Sequence, residues 1–173
     1  MENINNIGLK RLKTELTFYY LFSTGVRNRY YAYFNKKKNV LSDTTLIDVT
    51  PKNDKIISTF HLKLSEKKFT FVILELCPQY PFKAPEIKIM GENYKSLLCI
   101  DSVFLKKFNI KNECLCCSSF CCRNNWHCGN NISDILLEIK TNLNIKIRIN
   151  DRKMCEFVLN HFFGYYLPIA TFL

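Results

Sequence analysis

The chain has 173 residues, a net charge of +10 and an apolar share of 47%. That length suits one domain, and the apolar share excludes a disordered or low-complexity chain. No apolar run approaches the roughly 20 residues that span a membrane, and the N-terminus lacks the features of a secretory signal. We therefore expect a single monomeric domain over residues 1–173, located in the cytoplasm or nucleus and not at a membrane. The bias toward Lys, Asn and Ile fits an AT-rich genome, such as that of a protist or a large DNA virus. If the source is a virus, the expected location is the cytoplasm or nucleus of the infected host cell.

The first predicted element is an amphipathic helix. Between residues 7 and 22, apolar side chains recur at three- and four-residue spacing, which is the pattern of a helix with one face in a core. Positively charged side chains lie between the leucines and would form a basic face. That face consists of Lys10, Arg11 and Lys13.

A series of strands follows the first helix. Alternating and aromatic-rich segments of strand length are separated by polar residues, and the link at residues 65–68 has the length of a hairpin loop. We expect an antiparallel meander with short turns, in which Phe71 and Ile73 face the core. The predicted strands are residues 30–34, 45–49, 56–64 and 69–76.

The next segment is rich in proline. Three prolines between residues 78 and 85 exclude a helix or a central strand, because proline lacks the backbone donor that both need. An extended connection is predicted here, followed by a short strand over residues 86–90 that Gly91 ends. Residues 92–131 show no clear periodicity.

Two separate helices are predicted near the C-terminus. The first covers residues 132–139, where Asn131 or Ser133 can cap its start. The second covers residues 151–163 and carries an apolar stripe. Together with the meander, these elements predict an α+β fold.

Cysteines are concentrated in one short segment. Without a secretion signal, such a cluster favours reduced thiols used for metal binding or catalysis over a disulfide framework. The total of nine is odd, so complete internal pairing is excluded. The clustered residues are Cys114, Cys116, Cys117, Cys121, Cys122 and Cys128.

Three segments together resemble the ubiquitin-conjugating enzyme (E2) family. They are LKRLKTEL at residues 9–16, FTFVILELCPQYPFKAPEIKI at residues 69–89, and Cys114-Leu115 followed by Trp126 and the helix at residues 132–139. The resemblance covers about residues 5–140 and leaves residues 141–173 as a helical C-terminal extension. It implies a UBC-like fold: an N-terminal helix, a four-stranded antiparallel meander, an irregular cysteine-containing loop and C-terminal helices. The chain departs from the family where Lys95-Ser96-Leu97 occupies the place of the usual His-Pro-Asn.

The resemblance implies a carrier of ubiquitin or a ubiquitin-like protein. Cys114 would hold the modifier as a thioester and pass it to a lysine or a ligase, because a thiolate is a good nucleophile and its thioester is readily attacked. Cys117 is the second choice, and Cys116 and Cys121 stay open. This chemistry requires no cofactor. With His-Pro-Asn missing, Asn124 and Asn125 are the candidate donors for oxyanion stabilisation, and Asn112 is a further one.

The resemblance also implies partner surfaces. The basic face of the first helix, formed by Lys10, Arg11 and Lys13, would meet the activating enzyme (E1). A second surface would meet a ligase (E3). The residues of that ligase surface are Pro81, Phe82, Trp126 and His127.

Two alternatives to a carrier remain. One is a catalytically inactive binding module that keeps the same fold. The other is a basic, zinc-containing nucleic-acid-binding protein, although the chain shows no recognised nucleic-acid motif and its aromatic residues fall on strands that need them for a core. In the zinc hypothesis, thiolates in tetrahedral arrangement would hold a structural ion. Its candidate ligands are Cys117, Cys121, Cys122 and Cys128.

Overall fold

The described part of the chain is an antiparallel sheet with helices packed against one face. It comes from a computed structural model. The described residues are 10–17, 42–99, 106, 115–122 and 124–163. The strand predicted at residues 30–34 lies outside them. The α+β class predicted from the sequence is confirmed.

The sheet has five strands in the order β1-β2-β3-β4-β5, and every neighbouring pair is antiparallel. The prediction of four strands is corrected, because a short fifth strand follows β4 through a tight turn. The predicted segments 45–49, 56–64, 69–76 and 86–90 are confirmed as strands with slightly different ends. The strands are β1 Thr44–Lys52, β2 Lys55–Ser65, β3 Lys68–Leu76, β4 Glu86–Ile89 and β5 Glu92–Asn93.

Two-residue turns join successive strands at three places. Met90 and Gly91 have φ angles of 52° and 88°, and positive φ at both central residues matches the right-handed twist of the flanking strands. Between β2 and β3, Ser65 pairs with Lys68. The loop predicted over residues 65–68 is therefore shorter than expected, because its outer residues belong to the strands.

The two faces of the sheet differ in burial. Phe60 on β2 and Val72 and Leu74 on β3 are completely buried, and helix contacts to β2 cover this face. Phe71 lies between Val72 and the buried Thr70, so the alternation of a strand directs it to the opposite face, where it is 45% exposed. The expectation that Phe71 is buried is therefore wrong, and Ile73 is only half-buried.

The helices of more than one described residue are α1 at residues 10–17, α2 Tyr94–Leu97, α3 Leu115–Ser118 and α4 Ile132–Phe163. In this part of the chain, none of them is both long and apolar enough to cross a membrane. The helix predicted over residues 7–22 is confirmed in its described portion.

Helix α4 is one helix of 32 residues, so the prediction of two separate helices is wrong. The segment 140–150 contains neither glycine nor proline, and nothing in it stops a helix once formed. Asn131 caps the start: its Oδ1 accepts from the Asp134 amide at 3.1 Å, and the Asp134 carboxylate accepts from the Asn131 amide at 3.1 Å. The helix continues through the boundary between residues 140 and 141 that the resemblance suggested.

Replacement of Phe60 by alanine should destabilise the protein far more than replacement of Phe71. The Phe60 ring is completely buried, and removing such a ring costs about 3–5 kcal/mol. Phe71→Ala removes a ring that is already 45% exposed, so its effect on the free energy of unfolding should be much smaller. Urea unfolding of the two variants measures the difference, and equal destabilisation would contradict the assignment of faces.

Asn144→Pro tests the continuity of α4. Proline inside a helix removes a hydrogen bond and clashes with the preceding turn, which costs about 3 kcal/mol or more. Asn144→Ala is the matched control and should leave stability unchanged or slightly raised, because alanine favours helices. Thermal and urea unfolding report the effect. A proline variant as stable as the alanine variant would indicate a break between two helices at this position.

Candidate functional site

Arg11 ties helix α1 to the loop before α4. Its Nε donates to Glu15 Oε1 at 2.6 Å, its Nη2 donates to the Asn130 carbonyl at 2.7 Å, and its Nη1 donates to the carbonyl of Cys128. The guanidinium carbon lies 5.8 Å from the centre of the Tyr80 ring, within cation–π range. Arg11 is thus engaged inside the fold, whereas Lys10 and Lys13 on the same predicted basic face are exposed.

Glu15 is the centre of this arrangement. Besides Arg11, its carboxylate accepts a hydrogen bond from the Tyr80 hydroxyl at 3.1 Å and one from the Ile132 amide at 2.9 Å. The amide belongs to the first turn of α4, where a carboxylate also interacts favourably with the helix dipole. Burial raises the pKa of Tyr80, and the Glu15 carboxylate raises it further, so the phenol stays protonated and donates. No local sequence pattern marks Glu15 as a site residue.

The Tyr80-Pro81-Phe82 turn meets the tryptophan loop. Trp126 Nε1 donates to the Pro81 carbonyl at 2.7 Å, and the ring centres of Tyr80 and Trp126 lie 6.2 Å apart. Pro81 is buried, while Phe82 is 60% exposed. Of the four residues predicted to form a ligase surface, Phe82 and His127 are therefore exposed, Trp126 is half-buried and Pro81 lies inside the fold.

The described part of the cysteine segment, residues 115–122, begins at the short helix α3. Leu115 is buried in the main core, and Cys117 is an exposed free thiol. Cys114, the first choice for a nucleophile, lies outside the described residues, as does Asn112. Cys116 is disulfide-bonded, so the expectation of reduced thiols is wrong for this residue. The seven cysteines with free thiols in the described part are Cys77, Cys99, Cys117, Cys121, Cys122, Cys128 and Cys155.

Asn125 braces the cysteine segment from the tryptophan side. Its Nδ2 donates to the Cys117 carbonyl at 2.7 Å and to the Ser119 carbonyl at 3.1 Å. A side-chain amide has two N–H donors, and these two bonds use both of them. Asn125 therefore holds the loop, and Asn124, which is exposed, remains the candidate for an oxyanion donor.

Glu138 holds the same segment from the side of α4. Its carboxylate accepts from the Phe120 amide at 2.9 Å, from the Ser119 hydroxyl, and from the Tyr94 hydroxyl at 3.2 Å. Burial raises the pKa of the nearby Cys121 thiol, and the Glu138 charge raises it further. Because a thiol must lose its proton to attack a carbonyl or bind zinc, Cys121 is poorly suited to either role. Glu138 is not among the predicted site residues. A glutamate among the inward-facing residues of an apolar helix stripe is nevertheless a sequence signal for a buried interaction.

The segment Lys95-Ser96-Leu97 lies in helix α2. Asn93 caps this helix by accepting from the Lys95 amide at 2.9 Å, and Lys146 Nζ on α4 donates to the Leu97 carbonyl at 2.7 Å. The segment is thus joined to the long helix. No group of three or more His, Cys, Asp or Glu side chains among the described residues is arranged to hold a metal ion.

Comparison of the chain with family models, with curated proteins and with solved structures finds no match. The function is therefore inferred from the arrangement of the residues described above.

Glu15→Ala should destabilise the protein by about 2–3 kcal/mol, because it removes a charged acceptor that three donors share. The Glu15 side chain is only 15% exposed, so water cannot fully replace its carboxylate as the acceptor for Tyr80 and the Ile132 amide. Glu66→Ala, in the exposed turn between β2 and β3, is the control and should change stability by no more than about 0.5 kcal/mol. Chemical denaturation followed by circular dichroism measures both. Equal effects of the two substitutions would show that Glu15 does not organise the site.

Proposed function

We propose that this chain is a divergent ubiquitin-conjugating enzyme that accepts ubiquitin or a ubiquitin-like protein on a cysteine and transfers it to a lysine or a ligase. The observation that carries the proposal is the contact between two distant motifs of the resemblance. Trp126 donates to the carbonyl of Pro81 at 2.7 Å, and its neighbour Asn125 binds the backbone of the cysteine segment. The Tyr-Pro-Phe turn, the tryptophan and the cysteine segment therefore form one continuous region.

The choice of nucleophile follows from the state of each thiol. Cys121 is half-buried with a raised pKa, so it is poorly suited to accept an acyl group. Cys117 is exposed and free. Cys114 remains the first choice on the basis of the following leucine, and Cys117 is the second.

In this proposal, the activating enzyme binds at Lys10 and Lys13, and a ligase binds at Phe82 and His127. All four of these side chains are exposed. A large exposed aromatic on a constrained turn is a suitable anchor for another protein, because its burial there releases apolar surface from water. Arg11 and Pro81 support these surfaces from inside the fold through the contacts described above.

A catalytically inactive binding module with the same surfaces is the second candidate function. One observation favours it: both amide donors of Asn125 are used within the loop, which leaves them unavailable to an oxyanion. Such a module would bind its partners through Phe82 and the basic helix face without carrying a modifier.

A charging reaction separates the two candidates. Protein that has been fully reduced and freed of reductant is incubated with ubiquitin, an activating enzyme and ATP, and then run on a non-reducing gel. An active carrier should shift by the mass of ubiquitin only when ATP is present, and the shift should disappear with a thiol reductant. The requirement for ATP excludes a simple disulfide adduct.

Single cysteine substitutions then identify the nucleophile. Cys114→Ser should abolish the shift or convert it to a reductant-stable ester, because serine forms an oxygen ester in place of a thioester. Cys155→Ser is the matched control, since Cys155 is an exposed free thiol on α4. A normal thioester in Cys114→Ser would move the assignment to Cys117. The inactive-module function would be favoured by a reduced wild-type protein that gives no ATP-dependent shift with any activating enzyme.

A further inference from the structure

The outer face of the sheet carries a strip of three aromatic side chains, which we term the aromatic strip. His61 on β2 stacks on Phe69 of β3 with ring centres 4.9 Å apart and planes inclined by 12°. It also contacts Phe71, at 5.3 Å between ring centres. Phe69 is 51% exposed and Phe71 is 45% exposed. The three rings thus lie side by side on the face that the core does not use.

Such rings suit one kind of ligand in particular. Alternate residues of a strand lie about 7 Å apart on one face, so Phe69 and Phe71 offer two ring surfaces in a row. Aromatic side chains on the open face of an antiparallel sheet bind single-stranded nucleic acid, because every base has a flat face that can stack on a ring. A duplex hides those faces, so it gains little from the same surface.

The charges around the aromatic strip complement a phosphate backbone. Lys63 lies directly opposite Phe69 across the strand pair, and Lys67 lies in the two-residue turn that precedes β3. Lys68 is directed to the other face of the sheet, where it pairs with Asp151 on α4, so it does not belong to this group.

Two glutamates on the same face, Glu75 and Glu86, are paired with lysines. Glu75 on β3 accepts from Lys88 Nζ at 2.5 Å and from Lys55 Nζ at 3.4 Å, and Lys55 Nζ also lies 3.4 Å from Glu86 Oε2 on β4. The pKa of Glu75 is lowered, chiefly by the hydrogen bond from Lys88. Two lysines thus balance two glutamates, so this pair does not oppose the positive field of a chain whose net charge is +10.

We propose that the aromatic strip and its neighbouring lysines form a binding site for single-stranded nucleic acid, in which bases stack on Phe69 and Phe71 while phosphates lie against Lys63 and Lys67. The inference does not depend on the proposed carrier function, because it uses the sheet face opposite the core into which the cysteine segment packs. Phe69 and Phe71 were expected to be needed for the core, but both are exposed and are therefore available to a ligand.

Fluorescence anisotropy tests the proposal with short labelled RNA and DNA single strands of the same sequence and with the matching DNA duplex. The wild-type protein should bind at least one single strand more tightly than the duplex. Phe69→Ala and Phe71→Ala should each weaken that binding about tenfold, which is typical for loss of one stacking ring. Phe71→Tyr keeps a ring at the same position and should retain the affinity. The tighter single strand identifies the sugar that the site prefers.

Two further variants separate stacking from general attraction by charge. Phe157→Ala removes a phenylalanine on α4 that is 60% exposed and lies outside the aromatic strip, so it should bind as the wild type does. Lys63→Gln should make the affinity less dependent on salt, with the slope of log K against log salt falling by about 0.7 for one lost phosphate contact. Circular dichroism and thermal unfolding establish that each variant is folded.

Two results would overturn the proposal. Folded Phe69→Ala and Phe71→Ala variants with unchanged affinity would show that net positive charge alone attracts the oligonucleotides. Failure of the wild-type protein to bind either single strand at low salt would leave the aromatic strip to a protein partner.

Discussion

The carboxylate of Glu15 is the interaction on which the candidate site depends. Its oxygens accept from Arg11 on α1, from Tyr80 in the proline-rich turn and from the first amide of α4. A carboxylate that is 15% exposed is stable only when its lost hydration is replaced by such donors. The three elements must therefore come together at one place. Arg11 then extends the connection to the loop before α4, which carries the tryptophan.

A second carboxylate, that of Glu138, fixes the position of the cysteine segment by accepting hydrogen bonds from it. It binds the backbone and a hydroxyl of residues 119–120 and the hydroxyl of Tyr94. The segment is thus held by polar contacts to α4, and by Leu115 in the core. This arrangement makes neighbouring cysteines chemically different: Cys121 is turned inward beside a negative charge, while Cys117 faces water. A cluster that looks uniform in sequence is therefore not uniform in reactivity.

The sheet separates two surfaces that could serve different ligands. One face supplies Phe60, Val72 and Leu74 to the core and supports the helices and the cysteine segment. The opposite face exposes Phe69 and Phe71, with lysines beside them. Because strand alternation sends adjacent residues to opposite faces, one strand, β3, builds both surfaces. A protein carrier function and binding of a single-stranded nucleic acid therefore do not compete for the same residues.

The α+β class, the segments of β1 to β4 and the start of α4 at Asn131 were all predictable from the sequence, because short-range periodicity, proline and capping chemistry act within a few residues. Which face of β3 is buried depends on packing, since two faces rich in apolar residues have the same alternation until a helix covers one of them. The continuity of α4 also depends on packing, because residues 140–150 supply Leu143 and Ile149 to the core. The roles of Glu15 and Glu138 depend on donors that are distant in sequence. The contact between the Glu15 carboxylate and the Ile132 amide spans 117 residues, and no local pattern encodes a contact of that range.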